Sequence, residues 1–134
     1  MNKENLKTLI ATIKAAGKRG DFDIHKYAHD CGSPSCIAGY AAHLQGLEIK
    51  KFKWREDLPA TVNVQARWYY SREYKKALAK YLGVSPSEAH EIAVGYDVAS
   101  LSEVTVEVVI EFLEAMLEQG RPLTWAGFFC GAER

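Results

Sequence analysis

Thr105-Val106-Glu107-Val108-Val109-Ile110-Glu111-Phe112-Leu113-Glu114-Ala115-Met116-Leu117-Glu118 decides how this chain is read. Val106, Val109, Ile110, Phe112, Leu113 and Leu117 recur at the spacing of one helical face, and Gly120 and Pro122 come next as stop signals. The spacing predicts the longest helix of the chain, with its apolar side turned to a core. At 3.6 residues per turn, Glu107, Glu111, Glu114 and Glu118 fall inside an arc of roughly 60°. Like charges four residues apart cost a helix a few tenths of a kcal/mol each. The stripe therefore does not serve helix stability, and it reads either as a solubilising face or as a surface for a basic partner.

Outward from that helix, the same signals recur. Leu6, Leu9, Ile10 and Ile13 predict a helix over 4–16, with Gly17 as its stop and a turn over 17–21. Asp23 reads as a cap for a single helical turn near 22–27. Ser33-Pro34 reads as a cap and first-turn pair for a small-residue helix that runs through Cys36, Gly39 and His43 and ends at Gly46. Gly39 costs that helix roughly 1 kcal/mol against Ala, which points to close approach by a neighbour. Residues 71–82 predict another helix closed by Gly83. Ser85-Pro86-Ser87-Glu88 is a capping box that opens a short helix ending near Gly95. Between the Gly46 stop and the helix at 71–82, Pro59 breaks any helix, and 47–65 reads as a short β-hairpin or an irregular insertion.

The composition agrees with one ordinary domain. Of 134 residues, 48% are apolar and 25% charged, and 17 basic side chains balance 17 acidic ones. That balance does not suit intrinsic disorder. No apolar stretch approaches the ~20 residues of a membrane span. Three cysteines are too few and too odd for a disulfide framework, so a reducing, cytoplasmic setting is expected. The expected fold is mainly α, a single small helical domain over 1–134 with about five helices.

The run Phe22-Asp23, Tyr27, and Cys31-Gly32-Ser33-Pro34-Ser35-Cys36-Ile37-Ala38-Gly39-Tyr40-Ala41-Ala42 resembles a pattern in small phage and bacterial proteins, Cys-Gly-Thr-x-x-Cys-Ile-Ala-Gly-x-Ala. Those proteins continue with a Leu-Gly motif, two capped helices and a late Trp. Leu82-Gly83, the Ser85 and Thr105 starts, and Trp125 stand in those places here. The resemblance is dense over 22–46 and thin elsewhere. Ser33 replaces Thr and keeps the capping hydroxyl, and the charged segment 48–57 is an addition. The resemblance implies a phage or mobile-element setting and brings no established activity with it.

Several side chains invite a chemical reading. Cys31 and Cys36, with His29 and His43 as imidazole candidates, make a sensible tetrahedral zinc set, but Cys-x4-Cys is loose spacing and the chain has no second cysteine pair. A disulfide between them is a second alternative, and plain packing of small buried thiols is the third and the favoured one. Asp30-Cys31-Gly32 before a helix also resembles the nucleophile region of bacteriocin-processing cysteine peptidases. That chemistry needs a later His on a strand, and both downstream histidines, His43 and His90, fall in predicted helices. Neither an enzyme nor a cofactor is expected.

Charge is segregated despite the zero sum: residues 1–80 carry 15 basic and 8 acidic side chains, and residues 81–134 carry 2 and 9. Lys3, Lys7, Lys14 and Lys18 share a ~60° arc of the first helix. Lys51, Lys53 and Arg55 interleave with Phe52 and Trp54, and Arg67-Trp68-Tyr69-Tyr70 stands further along. Segments 50–55 and 67–72 are thus candidates for weak, salt-sensitive nucleic-acid binding, although a neutral chain is far from the usual charge of such proteins. The apolar tail holds Trp125, Phe128 and Phe129 on one helical face, to dock on the core or, left exposed, to form a dimer or partner interface. The expected role is stoichiometric protein binding in the host cytoplasm. Glu107, Glu111, Glu114 and Glu118, with Lys51, Lys53, Trp54 and Arg55, are the contact residues. The expected partner is a host protein or ribonucleoprotein complex of defence or nucleic-acid handling, inhibited in the manner of an anti-CRISPR protein.

Overall fold

The first helix, α1, runs over Lys3–Arg19, past the stop expected at Gly17. Asn2 caps its start by accepting from the Asn5 backbone N–H at 3.0 Å. Gly20, at φ 76°, ends it by donating to the Ala16 and Gly17 carbonyls. Gly17 stays inside the helix because its bare α-carbon faces Val106, whose Cγ2 would lie 3.0 Å from any Cβ placed there. The turn expected over 17–21 therefore begins only at Gly20.

The computed structural model describes residues 1–24, 36–47, 73–94 and 104–131. Helix α2 spans Ile37–Leu44 and buries Ile37, Ala38, Gly39, Tyr40, Ala41 and Ala42. Its N-cap is Cys36, whose side chain makes no capping hydrogen bond, so the helix begins later than a Ser33 cap requires. Helix α3, Glu73–Leu82, ends on Gly83 at φ 67°. Helix α4, Pro86–Val94, opens on the expected capping box: Ser85 N–H donates to Glu88 Oε1 at 2.9 Å, and Glu88 N–H donates to Ser85 Oγ at 3.1 Å. Helix α5, Val106–Gln119, is capped by Thr105 and closed by Gly120 at φ 69°. Helix α6, Trp125–Phe129, is a short turn capped by Thr124. No strand occurs among the described residues. The hairpin or insertion expected at 47–65 falls outside them except for Leu47.

The core explains why these helices stand where they do. Leu6, Leu9, Ile13, Ile37, Leu78, Leu82, Ile92, Phe112, Leu113 and Trp125 are fully buried in one cluster. Helix α1 packs on α5 and also touches α2 and α3; α2 packs on α3, and α3 on α4. Polar bonds lock these contacts. The Asn2 backbone N–H donates to the Leu82 carbonyl at 2.7 Å, and Asn5 Nδ2 donates to the Tyr81 carbonyl at 2.8 Å, so the start of α1 satisfies orphan carbonyls at the end of α3. Gln45 Nε2 bridges the Ala41 and Ala77 carbonyls and ties α2 to α3. The fold is mainly helical, in a small single domain.

Candidate interaction face

Helix α5 divides along its length as the sequence predicts. Val109, Phe112, Leu113 and Met116 are buried, whereas Glu107, Glu111, Glu114 and Glu118 are all exposed. Three contacts fix how α5 lies on α1. Gly17 meets Val106, Lys14 Nζ lies 3.5 Å from Glu114 Oε1, and the Lys3 ammonium end lies against Gly120. The end of α1 therefore meets the start of α5, and the two helices run antiparallel. Lys3 also brings positive charge to the C-terminus of α5, where the helix dipole favours it.

This packing sets the lysine row of α1 beside the glutamate row of α5, an arrangement that neither periodicity alone foretells. Both members of the Lys14–Glu114 pair are about half exposed, 51% and 52%, so the pair contributes ~0–1 kcal/mol. Glu107, Glu111 and Glu118 form no ion pair among the described residues, and neither do Lys3 and Lys18. Lys7 is held by Glu4 of its own helix at 3.2 Å.

Of the cysteine–histidine set, Cys36 and His43 fall within the described residues. Cys36 is buried, and burial pushes its thiol up to about 12, so at neutral pH it is a protonated packing side chain and not a thiolate. Cys36 itself is a free thiol packed in the core. His43 lies exposed on the last turn of α2. Among the described residues no group of three or more His, Cys, Asp or Glu side chains is placed to hold a metal ion. His43 and His90 both sit on helices, as expected. Cys31, Gly32, Ser33 and His29 lie outside the described residues, as do Lys51, Lys53, Trp54, Arg55 and the whole of segments 50–55 and 67–72.

The aromatic tail takes the first of its two expected places, docked on the chain's own core. Trp125 and Phe128 are buried, and the Trp125 and Phe112 rings stack at 3.9 Å with Phe128 edge-on at 5.5 Å. Trp125 Nε1 donates to the Ile92 carbonyl at 3.0 Å. These rings complete the chain's own core and cannot serve a dimer interface without unpacking it. Phe129, half-buried and stacked on Trp125, belongs to the same cluster. No helix among the described residues is long and apolar enough to cross a membrane. Comparison with protein-family models, with curated proteins and with solved structures finds no match.

Proposed function

We propose that this chain is a non-enzymatic binding domain that captures a basic surface on another protein through the α5 glutamate row. One observation carries the reading: four glutamates share one exposed face of a helix whose opposite face is core, and three of them have no ion-pair partner among the described residues. A row of carboxylates held at fixed spacing on a rigid helix speeds encounter with a basic surface and selects against acidic ones. The sequence resemblance adds a phage or mobile-element setting. There, stoichiometric inhibition of a host defence or nucleic-acid-handling complex is the role that suits a small neutral domain.

The test is affinity capture from host cells with the parental chain and with a Glu107→Lys/Glu118→Lys variant. Both side chains are exposed, so the fold and its melting curve should not change. Capture of the co-purifying protein should weaken tenfold or more, on the order of 1.4 kcal/mol, chiefly through a slower and more salt-sensitive association rate. Equal capture by a folded variant would reduce the row to a solubilising face.

A further inference from the structure

The outer face of the α1–α5 pair carries two rows of opposite charge, side by side and running antiparallel. We infer that this face is self-complementary and joins two copies of the chain in a weak dimer, with the lysine row of each copy lying on the glutamate row of the other. The inference rests on the register of the two rows and not on capture of a basic partner by α5.

The register comes from the observed contacts. The Lys14–Glu114 pair brings the charged ends of the two rows to a common height; by the Gly17–Val106 contact the α-carbons of that pair stand about 7.5 Å apart along the helices, a gap their side chains span. At about 1.5 Å of rise per residue, Lys18 stands ~6 Å above that level on α1, and Glu111 stands ~4.5 Å above it on α5. Lys7 lies ~10 Å below and Glu118 ~6 Å below, a difference of about 4.5 Å that a lysine side chain spans. Each of these lysines thus has a glutamate near its own height, yet within one chain only Lys14 and Glu114 meet; Lys18 and Glu111 form no ion pair among the described residues.

A second copy supplies the absent contacts. A two-fold axis parallel to the helices, running between the two rows, preserves height and so places Lys14, Lys18 and Lys7 over the partner's Glu114, Glu111 and Glu118, each within about 5 Å of level. It also turns the single Lys14–Glu114 pair into an alternating set of four charges. An axis across the helices would set lysine on lysine and is excluded by repulsion. Equal numbers of both charges on the face, and a chain of zero net charge, leave no long-range repulsion between copies. Ile110 and Leu117, half-buried against the core, leave the rest of each side chain on the α5 arc between Val106 and the glutamates, and that remainder gives the contact a narrow apolar centre line. Two helices some 20 Å across and ~21 Å long present about 400 Å² per copy. That is below the ~1,000 Å² total of a stable interface after doubling, so the dimer is a transient one.

Sedimentation of the full chain from micromolar to millimolar concentration, in low and in physiological salt, tests this. The parental chain should dimerise reversibly and dissociate as salt rises. Lys18→Glu and Glu111→Lys should each weaken association at least tenfold, because each reverses both symmetry-related contacts. An equimolar mixture of the two variants should associate as the parent does, since every contact is then again between opposite charges. The double swap Lys18→Glu/Glu111→Lys within one chain should do the same, with circular dichroism as the check on folding. A parental chain that stays monomeric at millimolar concentration in low salt would overturn the inference. So would a dimer indifferent to both reversals, or folded variants that neither mixing nor the double swap restores.

Discussion

Gly17→Ala is the substitution whose outcome the structure constrains most closely. In an isolated helix the change should stabilise by about 1 kcal/mol, because alanine loses less conformational freedom than glycine. Here the new methyl lies 3.0 Å from Val106 Cγ2 and 3.3 Å from Cγ1, where carbon atoms prefer ~3.5–4.0 Å. Overpacking of this kind costs ~1–3 kcal/mol. The net expectation is a loss of up to about 2 kcal/mol, several degrees in Tm for a domain of this size. Val106→Ala removes both γ-carbons, so in that background Gly17→Ala should show its intrinsic gain of about 1 kcal/mol. A double-mutant cycle from urea melts of the four proteins should therefore give a coupling of ~2 kcal/mol. If Gly17→Ala stabilises equally with Val106 and with Ala at that position, the α1–α5 spacing is not set by this contact, and the register of the charged rows loses one of its anchors.

Ser85→Ala should destabilise by about 1 kcal/mol in chemical denaturation, because it removes the hydroxyl half of the α4 capping box and leaves the Glu88 N–H without its acceptor. Burial, reinforced by the charge of Lys75 and opposed by Glu91, holds the His90 imidazole below its ordinary value. As pH falls, the unfolded chain then binds the proton first. The contribution is complete above pH ~6.5 and is lost as pH falls through that value toward the depressed one. His90→Gln should flatten that part of the stability–pH curve, and an unchanged acid limb would contradict the assignment.

Helix ends are legible where a single residue type decides them. Gly46, Gly83 and Gly120 all adopt positive φ, and Ser85 and Thr105 cap as their spacing predicts. Gly17 misleads because a glycine penalty of about 1 kcal/mol is small beside a tertiary contact, and only the position of Val106 reveals that contact. The start of α2 departs from its local signal for a related reason. Ser33-Pro34 is a strong cap pattern, but the helix begins where burial of Ile37 through Ala42 begins, after a cysteine that makes no cap bond. Of the candidate face, the glutamate arc and the lysine arc are each visible from periodicity. Their adjacency is not, since it depends on which two helices share a seam, and residues far apart in the chain carry no mark of that. The aromatic tail shows its shared face in sequence, whereas its hydrogen bond to the Ile92 carbonyl appears only in three dimensions.

The pairing of α1 with α5 also bears on how the chain is made. Roughly 90 residues separate the two helices in sequence, and a ribosome adds about 5–20 residues per second. Leu6, Leu9, Ile10 and Ile13 thus leave the exit tunnel on the order of 5–20 seconds before Phe112 and Leu113 arrive to complete their cluster. During that interval α2 and α3 can cover only part of the apolar side of α1, and the part that packs on α5 stays bare, a natural substrate for holding chaperones. Slow codons placed between the two helices would lengthen the exposure and lower the yield of folded protein.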